Sequence, residues 1–214
     1  MLPFTHAQFL EVFARYNTGV WPAQYAGYLL GLAVCAALLR GTHGAAMGAV
    51  LGLALMWLWT GLAYHAPYFS AISPAAYLFA GLFVLQGALL ASFAFRQGPE
   101  GLPVDGLRRW LGWGLIVYAM VAYPLIGLAA GGRYPELPMF GIAPCPVTLF
   151  TFGVYLLLSV RVPWWLLVIP VAWSLVGGSA ALLVRVPQDW VLLASGLSVL
   201  PMVWHRHSRA GAPA

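Results

Sequence analysis

PAAYLFAGLFVLQGALLASFAFR runs from residue 74 to residue 96 with a single charge, Arg96, at its end. A helix needs about 20 mainly apolar residues to cross the hydrocarbon of a bilayer. This stretch has that length, opens on a proline and closes on an arginine. Gln86, near its centre, is its most polar deep side chain, and an interhelical hydrogen bond is the expected use of such an amide.

Six further apolar stretches flank it, so spans are expected at about 20–39, 43–64, 74–95, 108–130, 146–160, 163–184 and 189–204. The fifth is short; Pro146 sets its start and Arg161-Val162-Pro163 its end, which suits a helix inside the bundle better than one against lipid. No ten-residue alternation suggests a barrel. The expected fold is therefore all-α: one domain over 1–214, a polytopic integral membrane bundle of seven transmembrane helices.

Composition agrees. Of 214 residues, 62% are hydrophobic and 7% charged, far below the charge of a soluble domain. The basic residues are too sparse for a phosphate-reading stripe, so nucleic acid is excluded as a partner. All ten basic residues are Arg. Without Lys there is no Schiff base for retinal and no phosphate-binding P-loop. Cys35 and Cys145 are too few for a disulfide framework. The opening MLPFTHAQF lacks the basic cluster of a cleaved signal peptide.

Orientation follows from the arginines. Arg40, Arg96, Arg108, Arg109, Arg161, Arg206 and Arg209 fall on one side with Glu100 and Asp105. Arg15, Arg133 and Arg185 fall on the other with Glu11, Glu136 and Asp189. The Arg-rich side is expected to be cytoplasmic, which puts the N-terminus outside and the C-terminus inside. Residues 4–18 read as a short amphipathic helix lying at the interface, with a Thr5–Gln8 capping box, a Phe4–Phe9 staple and a stripe of Phe9, Phe13 and Tyr16.

Small residues mark close helix contacts: Gly27 and Gly31, the ridge Gly44, Gly48 and Gly52, and the run Gly177 to Ala181. Packing within one bundle accounts for all of them; a homo-oligomer seam is the sharper alternative, with the Gly44, Gly48, Gly52 ridge its best candidate.

Reactive groups gather at the outer helix ends. Cys145 stands between two prolines and is expected as the N-cap of the fifth span, where free helix N–H groups favour a thiolate. Thr148, Thr151, Tyr155 and Ser159 continue from it as one polar stripe. Ser174, Gly178, Ala181 and Arg185 share a face of the sixth span, and the two faces together would line an outward polar cleft. His65, Gln188 and Asp189 complete the candidate ligand-binding set. The bland alternative makes Cys145 a small buried hydrophobe and bonds the hydroxyls back to their own helix carbonyls. His65, Cys145 and Asp189, with His6, lack metal-ligand spacing, so no metal is expected. His205-Arg206-His207 reads as the cationic inner end of the last span. No cofactor is indicated. No span interior holds a charge, which argues against a proton pump or an ion-coupled carrier.

Several stretches together resemble a known family: FLEVFARYN (9–17), WPAQ (21–24), YHAPYFSAISPAA (64–76), PCPVTLFTFG (144–153), WSLVGGSAA (173–181) and RVPQD (185–189). They resemble a bacterial group of multi-pass membrane proteins, domain of unknown function 6064. The resemblance covers nearly the whole chain and implies the bacterial inner membrane, but no activity. GLAYH (61–65) is also faintly similar to seven-span hydrolases of the alkaline-ceramidase type. That pattern fails elsewhere: no Asp follows His65 in the third span and no HxxxH occurs in the seventh.

Three functions remain in play. The leading one is binding or passage of a small solute through an outward-facing polar cleft. The rivals are a membrane-embedded enzyme or redox protein using Cys145 and His65, and a structural subunit of a membrane complex.

Overall fold

The computed structural model describes residues 3–97, 104 and 106–198. Its helices are α1 (His6–Gly19), α2 (Ala23–Arg40), α3 (His43–Trp59), α4 (Ala76–Gln97), α5 (Gly106–Val117), α6 (Tyr123–Ala129), α7 (Pro144–Leu157), α8 (Trp165–Gly178), α9 (Ala180–Leu183) and α10 over 189–198. No strand occurs among the described residues. Two π-helical segments, Thr60–His65 and Tyr118–Ala122, continue α3 and join α5 to α6.

Five helical stretches are long and apolar enough to cross a membrane: Ala23–Arg40, His43–Ala71, Ala76–Arg96, Gly106–Ala129 and Trp165–Leu183. The expected fifth span is α7, whose 14 residues reach about 21 Å, short of a hydrocarbon core of about 30 Å. Every residue of α7 is buried. It is enclosed by α3, α5 and α8, so bilayer thickness does not fix its length. The last span is described only as α10; 199–204 lie outside the described residues, as do Glu100, Asp105 and 205–209. Large apolar side chains such as Leu29, Phe95 and Trp110 cover the outer surface of the bundle, as lipid contact requires.

Local chemistry sets the helix ends. Gly41, at φ 66°, ends α2 in the left-handed conformation, which glycine adopts without steric cost. Thr42 then caps α3 by accepting from the Ala45 N–H. The Thr5–Gln8 capping box forms at α1, and Phe4 stacks on Phe9 with ring centroids 6.1 Å apart. The apolar stripe of α1 packs on protein: Phe13 stacks on Tyr64 at 5.1 Å, and Tyr16 meets Tyr64 and Tyr68 edge-on.

Polar ties run through the core. Trp57 Nε1 donates to Thr151 Oγ1 at 2.9 Å. Gln86 Nε2 donates to the Tyr155 hydroxyl and to the Leu166 carbonyl, each at 3.0 Å, so the deep amide of α4 binds α7 and α8. Another set fastens the long loop after α6. Tyr16 donates to the Ile142 carbonyl at 2.8 Å, and Asn17 Nδ2 donates to the Pro135 and Leu137 carbonyls. Gln24 Nε2 donates to the Asn17 carbonyl. Burial pushes the Tyr16 hydroxyl well up from the ordinary phenol value, so it stays a neutral donor at physiological pH.

The glycines divide. A Cβ on Gly27 would lie 2.9 Å from the Phe140 carbonyl oxygen, and one on Gly141 would lie 2.7 Å from Gly27 Cα. The loop backbone therefore rests directly on α2. Gly112 and Gly153 make a similar crossing of α5 and α7. The ridge on α3 does not act as a unit. Gly52 packs on Val34 and Leu30, whereas Gly44 and Gly48 meet nothing within 4 Å. The drift of a helix with 3.6 residues per turn carries Gly44 and Gly48 round to the exposed side.

Candidate functional site

Two helical irregularities build the site. In the segment Thr60–His65 the Ala66 N–H bonds back to the Gly61 carbonyl, five residues earlier. The Tyr123 N–H does the same to Tyr118. Single π-turns of this kind recur at functional sites because the extra residue re-aims the side chains beyond it. Here they precede, or end on, His65 and Tyr123. Gly61 lets the first one sit against α4, since a Cβ there would be 2.9 Å from the Ala80 carbonyl oxygen.

His65 is fully buried in an aromatic cage. Its ring centroid lies 4.7 Å from Phe83, 5.1 Å from Trp173, 5.1 Å from Tyr64, 5.8 Å from Phe79 and 5.9 Å from Phe69. Neither ring nitrogen has a hydrogen-bond partner among the described residues. Buried polar atoms left so are uncommon and costly. Trp173 Nε1 lies against the Cys145 sulfur, a weak acceptor.

Both groups border a cavity of about 270 Å³. Its lining includes Cys145 and Gly177, Phe9 and Phe13 of α1, and Phe4 just before that helix. A Cβ on Gly177 would lie 2.8 Å from Trp173 Nε1 and 3.3 Å from Cys145 Sγ, so the glycine keeps the indole and the sulfur close together. Behind the sulfur stand the Asp189 carboxyl and the Tyr123 hydroxyl. Tyr123 donates to Asp189 Oδ1 at 2.7 Å.

Two expectations change here. Cys145 is not the N-cap of its helix. Ala143 is, with Pro144 at the first helical position, so Cys145 falls within the first turn. It is also buried, with Trp173 and Gly177 of α8 against its sulfur. Asp189, for its part, is 1% exposed. Although it lies near a helix end, the interior does contain an ionisable carboxyl, and Tyr123 supplies its donor.

The other expected residues go elsewhere. Thr148 and Thr151 donate to the Pro144 and Val147 carbonyls of their own helix. Tyr155 donates to the Leu166 carbonyl. Ser174 donates to the Val171 carbonyl and packs against Gly196 of α10. Gly178 meets Leu193, so this face of α8 is filled by α10. These hydroxyls are satisfied within buried helix contacts. Arg185 is exposed at the turn after α9, while Gln188 is buried. Both border a second cavity. Among the described residues no group of three or more His, Cys, Asp or Glu could hold a metal ion.

Trp173 and Tyr123 escaped the sequence reading. The signal for Trp173 was its spacing four before Gly177, which puts a large ring and a gap on one helix face. Tyr123 carried none, for its partner is 66 residues away.

No curated protein matches the chain. No solved structure matches it either. A family model described as a family of unknown function, DUF6064, matches residues 6–213. Since that match takes in nearly the whole chain, the chain belongs to the DUF6064 family.

Proposed function

We propose that this is a multi-pass protein of the bacterial inner membrane, with its N-terminus outside, that binds a small, mainly apolar molecule in the aromatic cavity under α1. The observation that carries the reading is His65. An imidazole in an aromatic cage, with neither nitrogen partnered among the described residues, is costly unless something in the cavity meets it. The ligand is therefore an uncharged body with one polar end that can both donate and accept. By the arginine distribution the cavity lies at the outer end of the bundle. Seven spans, with α7 enclosed, complete the topology.

Native mass spectrometry of the full chain in a mild detergent tests this. A retained small-molecule mass is expected on the wild type and lost in His65→Phe. Because the phenyl ring leaves no unpartnered polar atom, the variant should melt no lower than the unliganded wild type. Wild-type protein that carries no small molecule, or a mass that survives His65→Phe, would overturn the reading.

A second reading, an enzyme or redox protein, is favoured by one fact: the Cys145 sulfur, the Asp189 carboxyl and the Tyr123 hydroxyl meet behind the same cavity. Cys145→Ser that keeps the bound mass but abolishes the cellular phenotype of the protein would support it. Exposed Gly44 and Gly48 leave α3 a small-residue face, on which a second copy of the chain is proposed to pack.

A further inference from the structure

The second cavity, of about 490 Å³, adjoins the aromatic one, with which it shares Phe9, Leu183 and Val184. The first turn of α1, the loop that follows α6, and residues 183–188 form its walls. His6 ties two of these walls together, its Nδ1 lying 2.7 Å from the Val184 carbonyl oxygen.

Its lining is polar in a specific way. Gln188 is 3% exposed, yet its Oε1 accepts no hydrogen bond among the described residues. Gly127 holds this amide in place, as a Cβ there would be 3.2 Å from Gln188 Nε2. Arg185 and Glu136 both border the cavity and form no ion pair with one another among the described residues. Arg185 sits at φ 55°, a left-handed conformation that a residue with a branched or long side chain holds only when its surroundings impose it. The cavity thus offers one guanidinium, one carboxylate and one buried neutral acceptor, with no internal neutralisation.

We propose that this cavity binds a zwitterion carrying a primary ammonium and an oxyanion on a short linker. Arg185 receives the oxyanion, since guanidinium matches carboxylate and phosphate in a two-pronged geometry. Glu136 and Gln188 Oε1 receive the N–H groups of the ammonium. The Gln188 acceptor makes the site a reader of N–H donors, so a quaternary ammonium of similar charge is rejected for want of a hydrogen to give. A free amino acid and the ethanolamine headgroup of a phospholipid share this chemistry. Arg185, Glu136 and Gln188 line this cavity and not the aromatic one, so the proposal does not rest on what the aromatic cavity binds.

Calorimetric titration of the full chain in a non-ionic detergent tests the proposal with three probes: L-alanine, O-phosphoethanolamine and O-phosphocholine. Saturable binding is expected for at least one of the first two, and at least about tenfold weaker binding for phosphocholine. L-Alanine alone identifies a free amino acid as the source. O-Phosphoethanolamine alone identifies the headgroup. Arg185→Gln and Glu136→Gln should each weaken the bound probe by about tenfold or more. Both side chains are at least partly exposed, so the melting temperature of the unliganded protein should hold, and His65→Phe should leave the binding intact. The proposal fails if neither amine probe binds, if phosphocholine binds equally well, or if both charge variants bind like wild type.

Discussion

Tyr123 gives its phenolic hydrogen to Asp189 Oδ1 across 2.7 Å, and both residues are sealed from solvent. This bond joins the start of α6 to the start of α10 beside the Cys145 sulfur. Tyr123→Phe removes the donor and leaves the acid buried without it. The expected cost is about 2 kcal/mol, the usual scale for leaving a buried polar group without its partner. Tyr118→Phe is the control: its hydroxyl gives a neutral bond to the Gln188 carbonyl at 2.9 Å in a part-buried place. Thermal unfolding in detergent should rank Tyr123→Phe well below Tyr118→Phe; equal losses would show that the acid does not need its phenol.

Glycines on neighbouring helices should behave oppositely. Gly27→Ala drives a methyl against the Phe140 carbonyl, which is backbone and cannot swing away. A loss of about 1–3 kcal/mol is expected, as for other overpacked sites. Gly48→Leu meets open space and should leave the melting temperature of the monomer unchanged. Size-exclusion chromatography with light scattering reads the second effect of Gly48→Leu: a dimer that dissociates identifies this face as the seam between copies, and an unaltered mass removes it.

The two thiols offer a direct comparison. Cys145 is buried and Cys35 only partly so. N-Ethylmaleimide on the folded protein in detergent should therefore modify Cys35 first, and Cys145 only after unfolding or after α1 is displaced. Faster labelling of Cys145 would mean that α1 does not stay closed over the cavity.

Reporter fusions address orientation. A reporter active only in the periplasm should be silent when fused at residue 103 and at the C-terminus. Activity at either position would reverse the proposed N-out topology.

What was legible in the sequence followed from proximity along the chain. The Thr5–Gln8 box and the Phe4–Phe9 contact span a few residues, and both form as the pattern indicates. The bond of Gln86 to neighbouring helices was legible because a lone amide among apolar residues has few other uses. The position of Cys145 was not, since either proline of Pro-Cys-Pro suits a first helical turn; the chain uses Pro144. Asp189 read as a helix-end residue because Tyr123, which makes it part of the interior, is distant in sequence. Thr148, Thr151 and Tyr155 were rightly placed on one helix as a polar series, but spacing cannot say whether a neighbour fills the groove beside it. In α8 it does: Leu193 and Gly196 of α10 occupy the face that Ser174 and Gly178 present.

The π-turn ending at His65 makes the site a matter of counting. An α-helix advances about 100° per residue, and a π-turn holds one residue more than the regular coil it interrupts. Straightening this segment into a regular α-helix with every residue kept would therefore swing every later side chain by about a quarter of a circle. The imidazole would then face away from Trp173 with its chemistry unaltered. Within this family, a relative that keeps the histidine and the residue count but forms a regular α-helix here would retain the letter of the motif and lose its address.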